Sequence, residues 1–204
     1  MAPSHRVKKP VERYNPEIDK GGSKRVTTTY SFANRFIYGR VLDAACGRGV
    51  GSDILANGCE EVVAVDDSTE AINYAKKHSK DVKFICEDIL EFLSSCKDRF
   101  DCVVAMEAIE HFDDELGFVR LVYELLPREG VFVFSVPYLE KPGRNPFHKH
   151  FYYSKDKLIP YLKGFEYEFY YYKDATIYRN VVEFLRDLEK KSGLGSLVVV
   201  AKKV

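Results

Sequence analysis

The sequence predicts an α/β fold, a mostly parallel sheet of seven strands doubly wound by helices. Three observations predict it. From Val26 onward, short β-branched apolar runs alternate with amphipathic segments of helix length, the pattern of a parallel sheet covered by helices. A glycine-rich turn with Gly47, Gly49 and Gly51 joins the first such run to a helix. The 204 residues, 46% apolar with 14 Phe and 14 Tyr, suit one domain with a sizeable core.

Strands are expected at Arg40 to Ala45, Glu61 to Val65, Val82 to Cys86, Phe100 to Ala105 and Gly130 to Val136, each flanked by turn or charged residues. These five make the parallel part. Helices are expected between them at Gly51 to Asn57, Thr69 to His78, Ile89 to Ser94 and Asp113 to Leu126. The last carries Leu116, Val119, Val122, Tyr123 and Leu126 near one face, and Pro127 and Gly130 end it. A Pro-, Gly- and His-rich loop then runs to Tyr153, long enough to be functional. A helix follows from Ser154, its N-cap, to Leu162. Phe165 to Lys173 and Ser196 to Lys202 supply two final strands around a helix at Asn180 to Lys191, with Gly193 and Gly195 as the turn. Residues 1–24 read as an arm and a possible lid: they hold Pro3, Pro10, Pro16, a basic cluster and Gly21-Gly22-Ser23. Residues 25–204 are the domain.

Charge and cysteine usage narrow the function. With 31 basic and 31 acidic residues the chain has zero formal charge. That argues against broad binding to nucleic acid, which draws on a basic face that displaces counterions. No signal-peptide core and no bilayer-length apolar stretch occur, so a cytoplasmic protein without a membrane partner is expected. Cys46, Cys59, Cys86, Cys96 and Cys102 form an odd set without CxxC spacing, which fits reduced, mostly buried thiols.

The segment Val41 to Ser52, VLDAACGRGVGS, lets a ligand approach the backbone at a helix start. Counted from Gly47, the third glycine of a dinucleotide fingerprint would fall on Ser52, so that match fails. A nicotinamide dehydrogenase is thereby disfavoured, and no P-loop occurs. What stands there is Asp43 with Ala45, Gly47 and Gly49 at alternate positions. VVAVDDS follows, with Asp66 23 residues beyond Asp43, then CEDIL, FDCVVAMEAIEHF and LLPREGVFVFSVP. In that order, over Val41 to Pro137, these segments resemble the class I methyltransferases that use S-adenosylmethionine.

The resemblance implies a Rossmann-like fold with an antiparallel last strand, and S-adenosylmethionine as cofactor. It places Asp43, Ala45, Gly47 and Gly49 in the first cofactor motif, with Ala45 where the family usually has Gly. Asp66 would accept both ribose hydroxyls and Asp67 would sit beside the adenine. Asp88 would lie near the adenine amino group, Ile89 against the ring, and Met106 and Glu107 close to the cofactor. Cys46 reads as a packing residue and Arg48 as a solvated loop charge.

A hydroxyl acceptor loses its proton as it attacks, and His111, His148 and His150 are candidates to take it. The Asn/Asp-Pro-Pro-aromatic motif of base methyltransferases is missing after the fourth strand, where Met106 to Ile109 stand. Lys141 to Ser154 and the arm Val11 to Glu17 look like a subgroup that accompanies glycosyltransferases in surface polysaccharide synthesis. That likeness implies a sugar or glycan hydroxyl as acceptor, a glycosyltransferase partner or fusion, and Arg13, Tyr14, Asn145 and Tyr152 as substrate contacts. Tyr161, Tyr167, Tyr170, Tyr171 and Tyr172 mostly cover the last strands. No metal site is expected, since His148 and His150 need a carboxylate that the sequence does not identify. Two alternatives stand beside the sugar acceptor: another small metabolite (a phenol, quinone precursor or carboxylic acid), or a non-catalytic adenosyl-ligand module.

Overall fold

The computed structural model describes residues 16–17, 20–140, 145–152, 154–180, 182–185 and 195–204. Arg13 and Tyr14, with most of the expected arm, lie outside them, as do Tyr153, Gly193 and all but 182–185 of the helical part of Asn180 to Lys191. Helix α1, Lys20–Ala33, precedes strand β1 (Arg40–Ala44), helix α2 (Val50–Leu55), β2 (Glu61–Asp66) and α3 (Thr69–His78). Then come β3 (Val82–Cys86), α4 (Ile89–Ser95), β4 (Cys102–Met106), α5 (Glu115–Leu125) and β5 (Val131–Tyr138). After a long connection, β6 (Phe165–Lys173), β7 (Thr176–Tyr178) and β8 (Gly195–Lys203) complete the sheet.

The order across the sheet is β3-β2-β1-β4-β5-β8-β6-β7. The pairings from β3 through β5 are parallel, and β8 runs antiparallel to both β5 and β6. Strands β4 and β5 are buried along their whole length, because helices lie on both faces and an unbroken apolar run is what such strands need. One core packs Phe92, Phe118 and Val122 against Phe132 and Phe134. The other packs Phe32, Leu55 and Ile72 against Val104 and Val133 on the opposite face. The expected α/β architecture is therefore present.

Four expectations need correction. The sheet has eight strands among the described residues, not seven. The added β7 closes a tight hairpin through Asp174 and Ala175, both at positive φ (48° and 65°); Asp suits the first position of such a turn, but Ala stands where Gly is usual at the second. The helix expected at Ser154 to Leu162 is instead two 3-10 turns, Lys155–Lys157 and Ile159–Leu162. Pro160 has no N–H to give an α-helical ladder, although the Ser154 hydroxyl does accept from the Asp156 amide, as an N-cap does. The boundary at residue 24 falls inside α1, whose KGGSKRVTTTYSFA sequence has poor intrinsic helix propensity. Of the cysteines, Cys46 and Cys102 are buried and Cys86 is exposed; all five are free thiols.

Helix α1 is held by packing rather than propensity. Tyr30 lies across α2 at Gly51, where an added Cβ would come 2.2 Å from the ring. Gly51→Ala should thus force Tyr30 and α1 outward and lower stability by about 1–3 kcal/mol, the usual range for overpacking. Urea unfolding of the two proteins measures it, and an unchanged midpoint would mean that α1 contributes nothing to the core.

Candidate active site

A cavity of about 470 Å³ opens at the carboxyl ends of the parallel strands, beside β1, whose neighbours β2 and β4 lie on opposite sides. This is the point where an open α/β sheet reverses its winding and forms a crevice. Its first wall is the turn after β1. Ala45, Gly47 and Gly49 all have left-handed backbones (φ 61°, 57° and 77°), so the chain turns back on itself at every second residue. For Ala45 this conformation costs roughly 1–2 kcal/mol. The difference from a glycine there is therefore backbone strain. A Cβ at Gly47 would meet nothing within 4 Å, so the cavity is open in front of it.

Asp66, at the end of β2, holds this turn in place. Its Oδ2 accepts from the Gly47 amide (3.0 Å) and its Oδ1 from the Ser68 amide (2.9 Å). Asp67, Asp88, Ile89 and Met106 line the same side of the cavity. Asp88 also caps α4, accepting from the amides of Leu90 and Glu91 (2.9 and 3.2 Å). Gly49 lies behind the wall as the N-cap of α2, where an added Cβ would come 2.7 Å from the Phe84 ring.

The other end of the cavity is ionic. Glu107, also left-handed (φ 50°), accepts from the Ser135 hydroxyl (2.7 Å), and Arg25 of α1 lies 3.4 Å from its other oxygen. Three residues on, in the 3-10 turn Ile109–His111, Glu110 is fully buried. Neither of its carboxylate oxygens has a hydrogen-bond partner; His111 Nε2 is 3.9 Å away. Burial, with Glu107 nearby, pushes the Glu110 carboxyl well above its ordinary range. The loop after β5 closes over this group, and the amides of Lys149 and His150 donate to the Glu110 carbonyl (2.8 and 3.3 Å). His111 Nδ1 meets the Phe147 carbonyl at 3.1 Å, and His148 Nδ1 contacts the Glu140 carboxylate. The two imidazole rings are 4.9 Å apart, edge to face.

Of the residues singled out from sequence, Ala45, Gly47, Asp66, Asp67, Asp88, Ile89, Met106, Glu107, His111, Asn145 and His148 all line the cavity. Others do not. Asp43 is completely buried beneath it and accepts from Ser52 Oγ (2.6 Å) and Tyr30 Oη (3.1 Å). His150 turns away to Glu115 (2.8 Å) and the Phe112 carbonyl (2.9 Å), so it cannot be the base. Tyr152 is buried in the core, bridged to Tyr138, and cannot touch a substrate from there. Arg48 is no solvated charge: it pairs with Glu70 (2.6 Å), lies over the Tyr74 ring and lines the cavity. Sequence reasoning missed Glu110, Glu140, Arg25 and Tyr30. For Glu110 a signal existed, two carboxylates three apart beside a histidine in an otherwise apolar run.

Residues 42–134 match the family described as "Methyltransferase domain". The chain is 29% identical over 135 residues to the ubiquinone biosynthesis O-methyltransferase of Actinobacillus pleuropneumoniae, covering 62% of this chain and 55% of that one. It is 34% identical over 99 residues to the Coxiella burnetii protein of the same name, covering 47% and 42%. The chain thus spans about half the length of these curated relatives. Among solved structures, the N-methyltransferase NodS of Bradyrhizobium japonicum, bound to S-adenosyl-L-homocysteine, superposes with a TM-score of 0.66 at 18% identity, covering 92% of this chain and 90% of that one. The [4+2]-cyclase SpnF superposes with a TM-score of 0.65 at 17% identity, covering 89% and 80%. The matched stretch is just under half of this chain. S-adenosylmethionine is the cofactor this likeness implies, and the cavity has room for it: its face at Gly47 is open, and Asp66 lines the wall beside that glycine. No helix among the described residues is long and apolar enough to cross a membrane.

Asp43 gives this site a pH dependence. Burial raises its carboxyl to about 7, above the unfolded value near 4. The native state therefore holds a proton that the unfolded state has lost, and stability from this group falls as pH rises from about 4 to 7. Urea unfolding at pH 5 and pH 8 should show that fall in the native protein and a smaller one in Asp43→Asn. Equal slopes would mean that Asp43 is ionised throughout.

Proposed function

We propose that the protein is an S-adenosylmethionine-dependent O-methyltransferase whose acceptor is a hydroxyl of a polar small molecule, a sugar or glycan first. The observation that carries this reading is the paired arrangement of the cavity. A glycine turn with an acidic residue forms one end, and a buried group of two imidazoles and three carboxylates forms the other.

Bound cofactor supplies an electrophilic methyl group. The chain supplies position and proton chemistry. Gly47 and Asp66 hold the adenosyl end, with Asp67, Asp88, Ile89 and Met106 around it. His111 and His148 activate the acceptor hydroxyl, with His111 oriented by the Phe147 carbonyl and His148 by Glu140. Asn145 holds that loop in shape: its Oδ1 accepts from the Phe147 amide (3.0 Å), and its amide nitrogen lies 3.1 Å from His148 Nε2. Arg13 and Tyr14, outside the described residues, are proposed as acceptor contacts. The ionic groups at one end of the cavity favour a hydroxyl-bearing acceptor, and the Asn145-Pro146-Phe147-His148 run supports the glycan-associated subgroup, with a glycosyltransferase as partner. A phenolic acceptor is the second reading, favoured by the relatives named as ubiquinone biosynthesis O-methyltransferases.

S-adenosylhomocysteine should raise the thermal midpoint with the logarithm of its excess, while NAD should not. Asp66→Ala should weaken that binding by about 1–3 kcal/mol, as unmatched hydrogen-bonding groups do. Calorimetry reads both, and a folded variant with unchanged affinity would remove Asp66 from the ribose position.

A mass-spectrometric screen of nucleotide sugars, oligosaccharides and phenols should return a product one methyl heavier, absent for the deoxy analogue of the true acceptor. His111→Gln and His148→Gln should each lower turnover by about two to four powers of ten with cofactor affinity kept. Methylated phenol without methylated sugar would select the second reading; methylation of amines alone would overturn both.

A further inference from the structure

We infer that Glu110, His111 and His148 form a binding site for a first-row divalent ion, Mn2+, Co2+ or Zn2+, at the acceptor end of the cavity. One ligand atom from each residue lies within 4.8 Å of the others, close enough for a single ion to draw them together. Two imidazoles and a carboxylate suit a transition ion better than Mg2+ or Ca2+, which prefer oxygen ligands.

An independent observation points the same way. Glu110 is fully buried, faces the cavity, and neither carboxylate oxygen accepts a hydrogen bond. A buried carboxylate without partners costs several kcal/mol, and proteins normally pair it or place it on a metal. Here the neighbouring groups, Glu107 and Glu140, are also carboxylates, and a cation relieves the repulsion among all three. The outer contacts are those of metal-bound histidines, which usually anchor the second ring nitrogen on an oxygen. His148 Nδ1 rests on Glu140 and His111 Nδ1 on the Phe147 carbonyl, so both rings are anchored on oxygen, and an ion at His148 Nε2 would take the place of the Asn145 amide. The loop bearing His148 is already fastened above Glu110 by the Lys149 and His150 amides. Bringing the third ligand over the first therefore needs no folding of a new segment.

This assignment deepens the methyltransferase reading, since an ion at that end would orient the acceptor oxygen. It makes the imidazoles ligands rather than bases. Binding of the ion alone, measured without cofactor or acceptor, keeps the two ideas separately testable.

The full chain, untagged and stripped with a chelator, is dialysed against Mn2+, Co2+ or Zn2+ in turn. We expect about one ion retained per chain and visible absorption bands from the Co2+ form. Glu110→Gln, His111→Gln and His148→Gln should each weaken binding at least tenfold. Glu140→Gln, which acts only through His148, should weaken it roughly 10–100-fold. His78→Gln, in an exposed histidine on α3, should leave binding unchanged. Circular dichroism and S-adenosylhomocysteine binding check each fold; if Glu110→Gln does not fold, the two histidine variants carry the test. Failure of the native chain to retain any of the three ions overturns the assignment, and so does undiminished binding in the folded histidine variants.

Discussion

The turn that holds the cofactor end rests on a carboxylate that never reaches the cavity. Asp43 lies within the buried run of β1, and its two oxygens accept from Tyr30 on α1 and Ser52 on α2. A charged group so placed is expensive, and two hydroxyl donors with a carboxyl raised to about 7 are how the fold tolerates it. The bond to Tyr30 requires the ring to cross α2, which requires a bare Cα at Gly51. It also brings α1, and Arg25 with it, to the cavity edge. Above this anchor the chain turns left-handed at residues 45, 47 and 49, and Asp66 catches the amide of Gly47. An acidic residue in the first motif is thus a support for the turn, and the acid one strand over lines the cavity.

The parallel sheet was legible because its strands are buried on both faces and announce themselves as short apolar runs between helix-length segments. What escaped lacks a local signal. Helix α1 has two glycines and three threonines, and its place depends on Gly51, 21 residues beyond Tyr30. Strand β7 is three residues long behind a turn whose second residue is Ala175, where the usual signal is Gly. The turns at Lys155–Leu162 have the spacing of a helix until Pro160 is weighed.

Within the site the same division holds. The cofactor-end residues follow strand ends, so their places are set by register and can be counted along the chain. Asp43 fitted that count, yet its role was misplaced, because counting gives position and not which way a side chain faces. The acceptor-end residues come from a 3-10 turn and a loop, where no period links Glu110 to Glu140 or His148. Their meeting is visible only once the Glu110 carbonyl is seen to hold the amides of Lys149 and His150.

This division also bears on what the acceptor can be. Solved structures that share the fold at below a quarter identity include one titled an N-methyltransferase and one titled a [4+2]-cyclase, so the sheet alone does not choose a reaction. In this chain the choice falls to the ionic end. Glu107, Glu110 and Glu140 stand there against Arg25, while Lys149 is turned to Asp113 (2.6 Å). Two like charges about 4 Å apart repel by roughly 4 kcal/mol at the effective dielectric of a protein surface, enough to weaken binding by nearly three powers of ten. A carboxylate brought there with no ion present would meet Glu140 and Glu107, the latter already shared with Arg25, whereas a bound divalent ion would remove that repulsion, so the charge at this end is set by what occupies it.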